Sequence, residues 1–198
     1  TEAANQQVVS ALGLPDVDLS SLDPIAATNS NEPGAQETLV AMAKVQNSVT
    51  QVANLISGAT TTDLVVQNVI EAFTSQIQTG NTIDVSNSSQ LAEIIEQAAT
   101  ITQQSDPNLD LSHIQNLKAD AATVMAEANQ QIDNIVSAAG TNPNSEQLQF
   151  QIAQVQFVAL SETSQDLQQA GSDSKPISDV VAENTGAALE TQIQVALT

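Results

Sequence analysis

Aromatic residues are almost missing from this chain: Phe73, Phe150 and Phe157 are present, with no tryptophan or tyrosine. Rings are the usual platforms for bases and sugars and the usual anchors of tight protein interfaces. Their scarcity argues against a sugar-stacking lectin and against a single-strand nucleic-acid binder. Cysteine is absent, which removes disulfides and thiolate metal sites. That fits the cytosol, and it equally fits export from bacteria that avoid cysteine. Basic side chains are limited to Lys44, Lys118 and Lys175, against 23 acidic residues, for a net charge of −20. Counterion release from DNA or RNA needs clustered cations, so no nucleic-acid partner is expected. No apolar run reaches the roughly 18 residues that cross a bilayer, so no membrane insertion is expected. The charge costs self-repulsion that salt screens beyond about 10 Å, which points to a saline setting.

The residue sets of ordinary enzyme chemistry are also missing. His113 is the one histidine, and a Ser–His–acid triad would need it as base. No Gly-x-Ser-x-Gly elbow accompanies it, and at a helix start it reads as a surface or capping residue. Paired carboxylates are plentiful, but a glycosidase cleft needs rings to hold the sugar. Phosphate loops, HExxH and GxGxxG are absent. Glu93, Glu96 and Glu127 lack the Glu-x-x-His pairs of a di-iron centre. The chain is therefore expected not to be an enzyme.

What is present is a strong helical pattern. Hydrophobic residues make up 41% of the chain, mostly small aliphatics, which must pack closely between thin helices. A helix is expected over about 2–12. Another, over 33–57, carries Leu39, Met42, Ala43, Val45, Val49, Val52, Ala53 and Ile56 at helical spacing. A third runs from the threonines at 61–62 to Gly80 with Leu64, Val65, Val69, Ile70, Phe73 and Ile77. A fourth begins near Ser88, and a fifth spans Ser112 to about Ala139. A sixth follows Asn144 with Leu148, Ile152, Val155, Val158, Ala159 and Leu167. The last starts near Ser178 with Val181, Leu189, Ile193, Val195 and Leu197, and Asn184-Thr185-Gly186 is expected to kink it. Glycines at 13, 58, 80, 140 and 171 read as helix stops. The expected fold is all-α: an antiparallel bundle of six or seven helices, one acidic domain over residues 1–198. Thr1 is not a start residue, so the chain is read as processed or excised from a larger precursor.

A pattern of apolar–Asp–apolar–Ser recurs at 17–20, 83–86 and 109–112. Its simplest reading is that Ser or Asp caps the following helix while the apolar residues staple it to the core. The same stretches offer hard oxygen donors for calcium (Ca2+). Asp106, Asn108 and Asp110 alternate as in the first half of a calcium loop. The loop lacks the central glycine and closing glutamate of an EF-hand, since Leu111 and Leu117 stand there. Asp16, Asp18 and Asp23 form the second candidate cluster.

The stretch Ala11-Leu12-Gly13-Leu14-Pro15-Asp16-Val17-Asp18-Leu19-Ser20-Ser21-Leu22-Asp23-Pro24-Ile25 resembles a helical module of very large secreted or surface-attached proteins of marine bacteria and cyanobacteria. Those proteins often carry cadherin-like, immunoglobulin-like or RTX calcium-binding repeats. Ile83-Asp84-Val85, leading into a helix with Leu91, Ile94 and Ile95, and Ala126-Glu127-Ala128-Asn129-Gln130-Gln131-Ile132 extend the likeness over most of the chain. The resemblance implies export, a calcium-rich medium and a structural or adhesive parent, and carries no catalytic residue with it. The expected function is a non-catalytic structural or interaction module at the bacterial cell surface: an adhesin spacer, surface-layer part, or filament or matrix subunit. Its expected partners are other protein modules or copies of itself. The alternatives are a calcium-dependent binding or switch module and an accessory domain of a secreted enzyme.

Overall fold

Several helix boundaries fall at short polar side chains or at positive-φ glycines. The computed structural model describes residues 2–140 and 145–196, and among these there is no strand. The elements are α1 (Glu2–Ala11), α2 (Pro24–Asn29), α3 (Ala35–Ala59), α4 (Val65–Gln78), α5 (Ser88–Ser105), α6 (Ser112–Ala139), α7 (Ser145–Val158), a π-helical turn (Ala159–Thr163), α8 (Ser164–Gly171), α9 (Ile177–Asn184) and α10 (Gly186–Val195). Asn144 and Leu197, expected at a helix start and in the last apolar stripe, lie outside the described residues.

The count of six or seven helices needs correction. The π-turn joins α7 to α8 without a break, so nine separate rods result among the described residues. One extra rod is α2, inside a loop read as a turn with calcium donors. Asp23 caps it, its Oδ1 accepting the amides of Ile25 and Ala26 at 3.0 and 3.1 Å. The other comes from a full break, not a kink, at Thr185, whose backbone is extended at φ −134° and ψ 162°. Buried Asn184 ends α9 there.

α3 and α6 are the two central rods, and α6 touches α3, α5, α7, α8, α9 and α10. Cross-helix bonds give the directions. Asn68 pairs with Thr102 and Gln76 with Gln97, so α4 and α5 run antiparallel. Asn47 pairs with Asn129 and Lys44 with Asp133, so α3 and α6 do too. α3 and the α7–α8 rod run the same way instead, since Gln51 meets Ala159 and Gly58 meets Gly171.

Gly58 and Gly171 stand where α3 and α8 end, as expected, but without the left-handed backbone of a glycine stop. Gly13, Gly80 and Gly140 have positive φ and close helices, whereas Gly58 and Gly171 lack the positive φ. A Cβ on Gly58 would overlap the Gln168 carbonyl oxygen and sit 2.7 Å from Ser172 N and 2.8 Å from Gly171 C. A Cβ on Gly171 would overlap the Leu55 carbonyl oxygen. The two glycines are where α3 and α8 cross with their backbones in contact.

The apolar interior is in two parts. The larger joins α3, α4, α5 and α6 with α8 and α9 around Leu55, Ile56, Leu91, Ile95, Ile114, Met125 and Leu167. The smaller gathers Ala43, Ile132, Leu148, Ile152 and Val155. Met42, Leu64, Ile70 and Val195, expected in apolar stripes, are instead about half exposed or more.

Candidate functional site

The three apolar–Asp–apolar–Ser segments share one local geometry. In each, the aspartate Oδ1 accepts the backbone amide of the serine two residues on: Asp18 from Ser20 at 3.0 Å, Asp84 from Ser86 at 2.9 Å, Asp110 from Ser112 at 3.0 Å. This is an Asx turn, in which a short carboxylate imitates a backbone carbonyl. The serine supplies the donor, and capping is mostly done by other residues. Asp23 caps α2, and Asn87 caps α5 through the amides of Ser89 and Gln90. At α6, Asp110 itself accepts from the first helical residue. Side-chain amides of helix residues then clamp the backbone of each segment. Asn5 takes Val17 O and Leu19 N, Asn129 takes Val85 O, and Gln103 takes Leu109 O.

These turns engage most of the candidate calcium donors. Asp18 also accepts the hydroxyls of Ser20 and Ser21, at 2.6 and 3.0 Å. The Ser20 hydroxyl, then its amide, then the Ser21 hydroxyl hold the Asp18 carboxyl below its ordinary value. Ser112 does the same for Asp110. Asp106 Oδ1 accepts Asn108 N and Nδ2, at 3.1 and 3.2 Å. Asp16 and Asp18 line a shallow hollow with Glu2 and Asn5, and Asp23 is not in its wall. Among the described residues no three His, Cys, Asp or Glu side chains are grouped to hold a metal ion.

A buried polar layer separates the two apolar clusters. Asn47, Ser48 and Gln51 of α3 and Asn129 of α6 are all 0% exposed. Asn47 Nδ2 donates to Asn129 Oδ1 at 3.3 Å. Asn129 Nδ2 donates to Ser48 Oγ at 2.9 Å and to Val85 O at 2.8 Å. Gln51 Nε2 donates to Ala159 O at 3.2 Å, and Ser164 Oγ reaches the same carbonyl at 2.7 Å. Two side-chain donors on one carbonyl give the π-turn a physical cause, since they compete with the regular backbone bond. At the edge of the layer Lys44 Nζ meets Asp133 Oδ1 at 2.8 Å, and Ser86 Oγ donates to Asp133 Oδ2 at 2.6 Å.

No family model matches this chain, and neither a curated protein nor a solved structure does.

The other chemically capable side chains also tie helices together. His113 Nε2 donates to Ala170 O at 3.0 Å, pinning the start of α6 beside the α3–α8 crossing. Lys118 pairs with Glu96 between α6 and α5. Lys175 Nζ donates to Asp166 Oδ1 at 2.7 Å and Glu183 Oε2 at 2.6 Å. Asn184 links Asp166 to Thr163 in turn. Burial is the largest single influence on the Lys175 ammonium and pulls its pKa down. The hydrogen bonds and charges of Asp166 and Glu183 together outweigh it and leave the group raised. A raised lysine contributes stability that is complete below its unfolded pKa and is lost as pH rises through the folded one. Lys175→Met is expected to lower stability by about 1 kcal/mol at neutral pH. Thermal melts across the alkaline range check this: the wild-type advantage shrinks as Lys175 deprotonates, and a constant gap contradicts it.

Among the described residues nothing covers the Phe150 side of α7. α7 buries Leu148, Ile152, Val155 and Val158. On its outer side Phe150, Ala153 and Phe157 follow at intervals of three and four, and half-buried Leu160 continues the series into the π-turn. Phe150 is 52% exposed and Phe157 49%. Two of the three aromatic rings thus face outward on one rod, while Phe73 is buried. The 3.5-residue spacing was there to be read in the sequence. The inner stripe masks it, because a helix with two apolar faces loses the contrast that marks either one. Beside Phe157 lies a hollow of about 390 Å³ lined by Gln46, Ala153, Gln156, Phe157, Leu160 and Ser161.

Proposed function

We propose that this chain is a non-catalytic structural or interaction module of an extracellular bacterial surface protein, acting as an adhesin spacer, surface-layer part, or filament or matrix subunit. The outward stripe Phe150–Ala153–Phe157–Leu160 carries the interaction part of this reading. Rings exposed on a chain with only three of them offer apolar area to a partner. The surface setting is supported by the charge of −20, the absence of cysteine and the resemblance of the 11–25 segment. The engagement of His113, Lys44, Lys175 and Asp133 in helix-to-helix bonds favours a scaffold role. Antibody raised against this chain is expected to label intact cells of the source bacterium, and protease shaving to remove the label. Signal found only after lysis overturns the surface reading.

A calcium-dependent module is the second reading, favoured by the excess of carboxylates, of which Asp16 and Asp18 line one hollow. Titration calorimetry with calcium chloride decides it. Absence of both heat and a melting shift ends it, because an ion bound only by the folded state must stabilise that state.

A further inference from the structure

We infer that the hollow between the end of α1, α3 and the 82–85 segment is a binding site for a small organic cation, an apolar body carrying one ammonium group. The inference goes beyond the interaction-module reading and does not depend on it. The hollow measures about 450 Å³, a size that suits a small molecule. Leu12, Val40, Val45, Ile83 and Val136 supply its apolar lining. Glu37, Val40 and Lys44 follow at intervals of three and four along α3, so they share the helix face that floors it. The opposite wall is tied in place. Ile83 N donates to Ala11 O at 2.7 Å, Asn129 holds the Val85 carbonyl at 2.8 Å, and Lys44 Nζ reaches Ser86 Oγ at 3.1 Å. A site built in advance loses little freedom when a ligand enters.

Charge selects the ligand. Glu37 and Asp84 line the same hollow, and both are exposed. The three lysines pair with Asp133, Glu96, Asp166 and Glu183, so neither carboxylate of the hollow has a lysine opposite it. Lys44 lines the hollow too, but its ammonium is taken up by Asp133 and Ser86. An anionic amphiphile would therefore set its head group against two carboxylates. An ammonium meets attraction from both while its chain lies on aliphatic side chains. Other hollows offer one half of this. The one with Asp16 and Asp18 has Asn5, Gln6 and Ser20 for a bed, and the one with Glu93 is lined largely by Gln76, Asn81 and Gln90. The one beside Phe157 has apolar lining without a carboxylate.

Octylammonium chloride is the probe. Sodium octanoate is the same kind of chain with the opposite charge, and ammonium chloride is the charge without the chain. Amide NMR spectra of the intact wild-type chain are expected to shift around 12–14, 37–45 and 82–85 with octylammonium and with neither of the others. Glu37→Gln with Asp84→Asn is expected to weaken binding by about tenfold. Asp84→Asn keeps the side-chain carbonyl that accepts Ser86 N, so the turn survives. Asp63→Asn with Glu71→Gln removes the same charge on the α4 side, outside the hollow, and is expected to change affinity by less than about twofold. No shifts with octylammonium, or shifts centred on other residues, overturn the site. Octanoate binding as tightly, or an equal loss in the Asp63 and Glu71 variant, overturns selection by Glu37 and Asp84. The octanoate comparison uses the wild-type chain, so it decides the sign of the ligand whatever the stability of the variants. Cell-surface labelling tests the surface reading separately.

Discussion

Gly58→Ala is expected to destabilise the protein by about 3 kcal/mol, at the upper end of the usual cost of overpacking a tight interior. Helix propensity by itself predicts the opposite sign. Gly58 is the last residue but one of α3, and alanine is favoured over glycine in a helix by up to about 1 kcal/mol. The tertiary contact decides the outcome. The new Cβ meets the Gln168 carbonyl oxygen, Ser172 N and Gly171 C, all backbone atoms that no rotamer change can move aside. To make room, α3 and α8 must separate where Leu55 and Leu167 are fully buried beside the crossing. In a chain of this size 1 kcal/mol corresponds to about 2–4 °C, so the melting temperature is expected to fall by about 6–12 °C. Gly80→Ala is the control, since its φ of +76° costs an alanine something but nothing lies within 4 Å. A loss there of about 1–2 kcal/mol reflects the left-handed backbone alone. A melting temperature that rises in Gly58→Ala would show that the helices do not touch at this point.

Asn129→Leu is expected to cost about 3 kcal/mol, because it strands several buried groups at about 1–3 kcal/mol for each one left unsatisfied. Asn129 accepts from Asn47 and donates to Ser48 and to the Val85 carbonyl. Asn47 Oδ1 has no protein partner as it stands, so losing Asn129 leaves the whole Asn47 amide unbonded among apolar neighbours. A second substitution, Asn47→Leu, removes one of the stranded groups. The double variant is therefore expected to be less destabilised than the two single losses added together, with a coupling of about 1 kcal/mol or more. Urea unfolding of the two singles and the double measures this coupling, and strict additivity contradicts a shared network. The layer also bears on register. Sliding α3 along α6 by one turn sets Asn47 and Asn129 against apolar residues, a far larger penalty than sliding an all-apolar seam.

The Lys44–Asp133–Ser86 cluster extends the same logic to the loop. It fixes the 83–86 segment against α3 and α6, while Asn129 holds the Val85 carbonyl from inside. A chain rich in Gln and Asn and poor in lysine thus ties loops to helices largely with neutral amides. Its three lysines are all placed in ion pairs, and Lys44 and Lys175 are mostly buried.

Much of the fold was legible residue by residue. The starts of α5 and α6 at Ser88 and Ser112, the end of α6 before Gly140, and the inner stripe of α7 follow from local rules. Caps, positive-φ glycines and a 3.6-residue apolar period are properties of one segment and its own backbone. The Asp–x–Ser turns are equally local, which is why three copies share one geometry in three settings. α2 escaped because six residues are too few to show a period. The π-turn escaped because one of the two donors on the Ala159 carbonyl, Gln51, is 108 residues away along the chain.

By itself the amino-acid order determined that this protein is helical, acidic, poor in rings and marked out into rods of nearly the observed lengths. Only the tertiary structure decided which glycines bring two backbones into contact, which amides lie inside, and which side of α7 the described residues leave uncovered. Those questions concern the surface that meets each residue from elsewhere in the chain. A buried Asn129 and an exposed Gln130 carry nearly the same amide, and what separates them is whether α3 or water lies opposite.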